Sequence, residues 1–194
     1  MNLPNKLTVA RCIMTPLFLA VMLMDFPFHN AVALLLFIVA SLTDMLDGKI
    51  ARKRQLITNL GKFLDPLADK MLTTAAFLGF MTKIGGAGLC WAVMLILTRE
   101  FMVTSVRLLA AKDGVVIAAS MAGKVKTVMQ MMSIIYMLTA MQVVELLPNR
   151  PWEAVPWDAL LLDFGLVLIW ISVVLTVISG IQYVWACRQY FTAE

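Results

Sequence analysis

The sequence predicts an all-α, polytopic membrane protein with six transmembrane helices and both termini in the cytoplasm. Three observations predict it. Of the 194 residues, 61% are hydrophobic and only 14% charged, with a mean hydropathy of +0.88. Apolar runs recur six times with turn-forming residues between them, and the basic residues gather on one side of the resulting topology. A spanning helix needs about 20 mostly apolar residues, so six spans with short connections occupy the chain and make 1–194 a single membrane domain. This composition excludes a disordered chain, a nucleic-acid module and an ordinary soluble enzyme. Cys12, Cys90 and Cys187 sit at unrelated positions inside apolar runs and read as small buried hydrophobes, without disulfide or metal spacing.

The first run, 7–25, ends at Asp25-Phe26-Pro27. Lys6 and Arg11 near its start imitate a signal peptide, but five further runs make it a first spanning helix. The second run, 30–47, follows His29, read as a loop residue, and leads into a charged connection, 48–62. The third, 63–82, is separated from the fourth, 86–110, by Gly85-Gly86-Ala87-Gly88, and Asp113-Gly114 turns the chain after the fourth. The fifth, 124–147, closes at Pro148-Asn149-Arg150-Pro151, and the sixth covers 158–187. Six spans return both termini to one side. Fourteen of the 16 Lys and Arg residues fall on that side, against Lys83 and Arg150 on the other, where Asp25, Glu145, Glu153 and Asp158 also lie. The positive-inside rule makes the basic side cytoplasmic. Trp152 and Trp157 mark the outer interface of the cell membrane.

The remaining acids carry the functional signal. Asp44 and Asp47, three apart, and Asp65 and Asp69, four apart, each share a helix face at the cytoplasmic ends of the second and third spans. An antiparallel pair with a short connection brings the two faces together. Carboxylates at ~5 Å repel by about 3 kcal/mol per pair at an effective dielectric near 20, so a counter-charge is required. Four carboxylates without histidine or thiol partners suit hard divalent cations, Mg²⁺ or Mn²⁺. The small residues Gly48, Ala51 and Gly61 let a ligand approach the backbone, and Arg52 suits bidentate phosphate contact. An EF-hand loop is excluded, because alternate-residue oxygens and the terminal Glu are missing.

The whole pattern, Asp44-x-x-Asp47-Gly48-x-x-Ala51-Arg52, eight residues, then Gly61-x-x-x-Asp65-x-x-x-Asp69, resembles the signature of the CDP-alcohol phosphotransferases at each of its positions. The resemblance implies a six-helix membrane enzyme, commonly a homodimer, that moves a phosphatidyl group from CDP-diacylglycerol to an alcohol and releases CMP. It implies that Asp44, Asp47, Asp65 and Asp69 hold two divalent ions and that Asp69 also serves as general base. Gly48, Arg52 and Thr58 match positions that contact the CDP-lipid in relatives, with Ala51 and Gly61 shaping that site. Pro4 to Arg11, Thr98-Arg99-Glu100-Phe101 with Arg107, and Gly123 to Thr127 resemble the branch of the family that uses sn-glycerol 3-phosphate as acceptor.

The residues themselves agree with an anionic acceptor. Arg99 and Arg107, eight apart, share one face of the fourth span, with Glu100 off that face. Arginine within a span faces a cavity or a partner. Lys124 opens the fifth span after Gly123, whereas Lys126 points elsewhere on that helix. Arg99, Arg107 and Lys124 are therefore the expected acceptor-phosphate residues. Asn5, Thr8 and Arg11 recur on one face of the first helix, and Asn5 and Thr8 are expected at the cytidine pocket. Other acceptors within the family are phosphatidylglycerol, serine and inositol phosphate. A cation transporter is the reading outside it, but it calls for charges near mid-membrane and repeated halves, and 98–194 contains no second acidic copy.

Overall fold

The computed structural model describes residues 3–54, 59–112, 121–147 and 157–188; within these ranges, the side chains of 3–7, 44–54, 59–67, 69, 108–109 and 111–112 lie outside the description. The described elements are α-helices: α1 (Leu3–Leu23), α2 (His29–Arg54), α3 (Asn59–Ile84), α4 (Ala87–Lys112), α5 (Met121–Leu146) and α6 (Trp157–Ala186). Each of the six apolar runs falls on one helix. The largest difference lies at the expected 48–62 connection, most of which is helical: α2 continues to Arg54 and α3 begins at Asn59. Hydropathy falls at the first charged residues, but main-chain hydrogen bonds of the i to i−4 type continue through them. Asp113-Gly114 and the 148–151 run lie outside the described residues, just beyond the ends of α4 and α5.

Among the described residues, three stretches are long and apolar enough to cross a membrane: Ala87–Arg107, Met121–Leu146 and Trp157–Ala186. Among the described residues, α1 and α2 carry shorter apolar stretches, Thr8–Leu23 and His29–Thr43. Large apolar side chains such as Ile13, Trp91, Phe101, Phe164 and Ile181 are exposed on the helix surfaces, an arrangement suited to a hydrocarbon solvent rather than water.

One apolar cluster draws on all six helices, with Phe18, Phe37, Phe77, Ala92, Met137 and Ile169 among its members. In sequence order, α1 packs against both α2 and α3, whereas among the described residues α2 and α3 touch only sparingly. On the other side α5 pairs with α6, α4 lies on α6, and α2 and α5 join the two groups. Small residues permit the close approaches expected where helices pack without a hydrophobic drive. A Cβ at Gly165 of α6 would stand 2.6 Å from Met137 Cε, and one at Gly79 of α3 would collide with Met22 of α1.

Two turns show how the chain reverses. Gly85 and Gly86 take φ of 77° and 91° between α3 and α4, a region open to glycine without steric cost. Between α1 and α2, Phe28 holds φ at 66°, and α5 stabilises it. The Phe28 N–H donates to Glu145 Oε1 at 3.1 Å, the Ala31 N–H to Gln142 Oε1 at 2.7 Å, and Asn30 Nδ2 to Glu145 Oε2 at 3.2 Å. Side chains from α5 thus satisfy the open N–H groups at the start of α2. His29, expected in a loop, is the first residue of α2, with Nδ1 3.6 Å from Glu145 Oε2.

Candidate active site

The helical extension of α2 and α3 decides the layout of the acidic signature. Asp44, Asp47, Gly48, Ala51 and Arg52 all lie on α2, and Gly61, Asp65 and Asp69 all lie on α3. The three- and four-residue spacings therefore act as helical spacings, placing each acidic pair on one face of its helix. The side chains of these residues and of Asn5 lie outside the description, as does Thr58 altogether. The donor set is four carboxylates on two helices joined by four residues, 55–58, a set that fits hard divalent cations. Among the described residues no group of three or more His, Cys, Asp and Glu side chains converges.

Helix α1 contributes a buried polar strip to this region. Thr8, Arg11 and Thr15 are buried in line with Phe18 and Met22, the i, i+3, i+7 progression of a single helical face. That helix packs on both signature helices. The polar end of its buried face carries Thr8, one of the residues expected at the cytidine pocket.

A second polar assembly starts one residue after Asp69. Lys70 Nζ donates to the Glu100 backbone carbonyl at 3.0 Å and lies 3.9 Å from Glu100 Oε2. Arg99 Nη1 donates to Glu100 Oε1 at 3.2 Å, and Lys126 Nζ makes a close ion pair with the same oxygen. Arg99 Nη2 then reaches α6, donating to Ser179 Oγ at 2.7 Å. Arg99 and Lys126 are buried, and the Glu100 side chain is 17% exposed. Helices α3, α4, α5 and α6 thus meet at one carboxylate and one hydroxyl. The Arg99 stem lies directly against Gly180, whose missing side chain leaves room for it. A cavity of about 530 Å³ between α4 and α6 is lined by Thr98, Arg99, Gly180, Trp185 and Arg188, among others.

The three expected acceptor residues have different surroundings. Arg99 belongs to the Glu100 assembly. Arg107 is exposed, its guanidinium 5.6 Å from the Tyr183 ring centroid, above a small cluster of Val103, Val106, Tyr183 and Cys187. Lys124 is exposed, and it is Lys126 that turns inward. Two residues separate by about 200° around a helix, and the packing of α5 on α6 and α2 selects which lysine is buried. Sequence reasoning missed Glu100, Lys70, Ser179 and Gly180. One signal was available for Glu100, since a carboxylate within an apolar span requires cationic company.

Comparison with known proteins places these features in a family. The profile of the CDP-alcohol phosphatidyltransferase family matches residues 1–178. A CDP-diacylglycerol–glycerol-3-phosphate 3-phosphatidyltransferase of Bacillus subtilis is 40% identical over 194 residues, covering 94% of this chain and 93% of that protein. The protein of the same name from Rickettsia bellii is 34% identical over 190 residues, covering 98% and 97%. A probable phosphatidylglycerophosphate synthase of Mycobacterium tuberculosis is 36% identical over 187 residues, covering 94% of this chain and 80% of that protein.

Proposed function

Because the chain belongs to the CDP-alcohol phosphatidyltransferase family, we propose that it transfers the phosphatidyl group of CDP-diacylglycerol to sn-glycerol 3-phosphate, giving phosphatidylglycerophosphate and CMP. The observation that carries the reading is the intact acidic signature on α2 and α3, ending one residue before a cluster of three cations. The names of relatives matched over nearly their whole length support the same acceptor.

In this reading Asp44, Asp47, Asp65 and Asp69 hold two divalent cations, Mg²⁺ or Mn²⁺, which supply charge neutralisation for the pyrophosphate and the departing CMP. Gly48, Arg52 and Thr58 bind the CDP-lipid, with Ala51 and Gly61 leaving space and Asn5 and Thr8 lining the cytidine pocket. Asp69 accepts the proton of the acceptor's C1 hydroxyl as that oxygen attacks the β-phosphorus and the bond to CMP breaks. Arg99, Arg107 and Lys124 draw the acceptor's phosphate to the site. The whole of 1–194 acts as one catalytic membrane domain, crossing the cell membrane six times with both termini and the site on the cytoplasmic side, as a homodimer.

The test is direct. Purified protein with CDP-diacylglycerol and each acceptor in turn should release CMP with sn-glycerol 3-phosphate. Release with serine, an inositol phosphate or phosphatidylglycerol, and none with glycerol 3-phosphate, would overturn the acceptor assignment and leave the family standing.

A further inference from the structure

We propose that Glu100 is a positioning residue for the acceptor phosphate: its carboxylate gathers Lys70 of α3, Arg99 of α4 and Lys126 of α5 into a cradle suited to a phosphate monoester. This rests on the reading above that glycerol 3-phosphate is the acceptor and that basic side chains of α4 and α5 receive it.

The geometry carries the argument in three steps. First, Glu100 makes the contacts that bring the three cations together. Arg99 and Lys126 share its Oε1, while Lys70 approaches Oε2 at 3.9 Å and donates to the main-chain carbonyl at 3.0 Å. Lysine and arginine have many rotamers, and like charges repel. Cations drawn from three helices therefore gather only where an anion holds them. Second, the groups gathered are of the kind that recognise phosphate: one guanidinium and two ammonium groups converge on a single carboxylate, donors that suit a phosphate monoester and that a neutral alcohol would not engage. Third, Arg99 is fixed at two nitrogens, Nη1 on Glu100 and Nη2 on Ser179 Oγ at 2.7 Å. Its Nε is buried without a hydrogen-bond partner among the described residues. A buried donor without a partner in an otherwise anchored guanidinium is a place for a ligand oxygen.

Position along the chain fits the same purpose. Lys70 directly follows Asp69 on α3. Glycerol 3-phosphate carries its phosphate and its C1 hydroxyl at opposite ends of a short chain. A cradle that begins beside the base can hold the phosphate while presenting the hydroxyl to Asp69. Glu100 does not touch the substrate in this arrangement; it acts through the cations it orients.

The test measures CMP release by purified wild type and variants, titrating each substrate at saturating amounts of the other. Glu100→Gln keeps the side chain's volume and removes its charge. The KM for glycerol 3-phosphate should rise about tenfold or more, with the KM for CDP-diacylglycerol within about twofold of wild type. Ser179→Ala, which removes only the second anchor of Arg99, should raise the acceptor KM several-fold in the same direction. Glu100→Asp keeps the charge with a shorter reach and should rescue part of the loss.

The double variant Glu100→Gln/Lys126→Gln restores the net charge of the four side chains. It should recover the thermal midpoint but not the acceptor KM. Recovery of both would mean that Glu100 only balances charge, which overturns the proposal. So would an equal rise in both KM values, or an unchanged acceptor KM in Glu100→Gln. Where Glu100→Gln is not recovered folded, Ser179→Ala decides by the same criteria. If Arg99→Ala also leaves the acceptor KM unchanged, or the wild type does not use glycerol 3-phosphate, it is the acceptor reading beneath that fails.

Discussion

Replacing Gly180 by alanine adds one methyl group to α6 where Arg99 of α4 lies against it. The new Cβ would stand 2.9 Å from Arg99 Cγ, 3.6 Å from Met102 Cε and 3.9 Å from Arg99 Cβ. Carbon atoms settle at about 3.5–4.0 Å, so Cγ must retreat by roughly 0.6–1.1 Å. Because Cγ lies near the base of the side chain, the guanidinium is carried with it. The 2.7 Å bond to Ser179 and the 3.2 Å bond to Glu100 do not survive a displacement of that size in the wrong direction. Helix propensity favours the alanine by about 1 kcal/mol and overpacking costs about 1–3 kcal/mol. Stability should therefore change little or fall by up to about 2 kcal/mol. Mispositioning of one charge-assisted contact, worth about 1.5–3 kcal/mol, corresponds to roughly 10- to 150-fold in kcat/KM for glycerol 3-phosphate. CMP release against acceptor concentration, with thermal unfolding in the same detergent, separates the two effects. Gly165→Ala is the control on the same helix, since its Cβ meets the flexible end of Met137 and is remote from Arg99 in sequence and contact; it should alter stability without a selective acceptor defect. A Gly180→Ala protein whose acceptor kcat/KM stays within about twofold of wild type would refute the reasoning.

Asp44→Asn or Asp65→Asn should abolish CMP release in a protein that still folds, and EDTA should inactivate the wild type with Mg²⁺ or Mn²⁺ restoring it; substantial residual turnover in either variant would sink the metal assignment. Asp69→Asn should lose rate more than CDP-lipid affinity, whereas an equal loss in both would point to a ligand role alone. Arg99→Ala should lose roughly 10- to 150-fold in acceptor kcat/KM, and Arg99→Lys should recover only part, because a point charge cannot serve Ser179 and Glu100 together; Arg107→Ala, at an exposed site over Tyr183, should lose less. Asp25 lies in the turn after α1, where the hydrogen bond and charge of Lys83, with Nζ at 2.6 Å, hold its carboxyl below the ordinary value of 3.8. The folded state thus binds this proton less readily than the unfolded state, so the contribution is complete above that value and fades as pH falls through the lowered one. Lys83→Met should return Asp25 to the ordinary carboxylate range in an NMR titration, and an unchanged titration would show that Lys83 is not the cause.

Much of this protein is local in origin, and that part was legible in the chain. Six apolar runs separated by turn-forming residues led to six helices in the same order. Carboxylates at spacings of three and four share a face of any helix that contains them, so the pairs Asp44–Asp47 and Asp65–Asp69 could be read before any fold was known. The ends of α2 and α3 were not legible, because the apolar runs stop at 47 and resume at 63 while the helices run to Arg54 and from Asn59. What only the tertiary structure decided is the company each charge keeps. Whether Lys124 or Lys126 turns inward depends on the rotation of α5 against its neighbours. The role of Glu100 depends on a lysine 26 residues away, and the seat of Arg99 on a serine 80 residues away. Gly180 matters because an arginine from another helix passes over it. A charge in an apolar protein must find its partner wherever packing delivers one, and packing of distant helices leaves no periodic trace in the sequence of any of them.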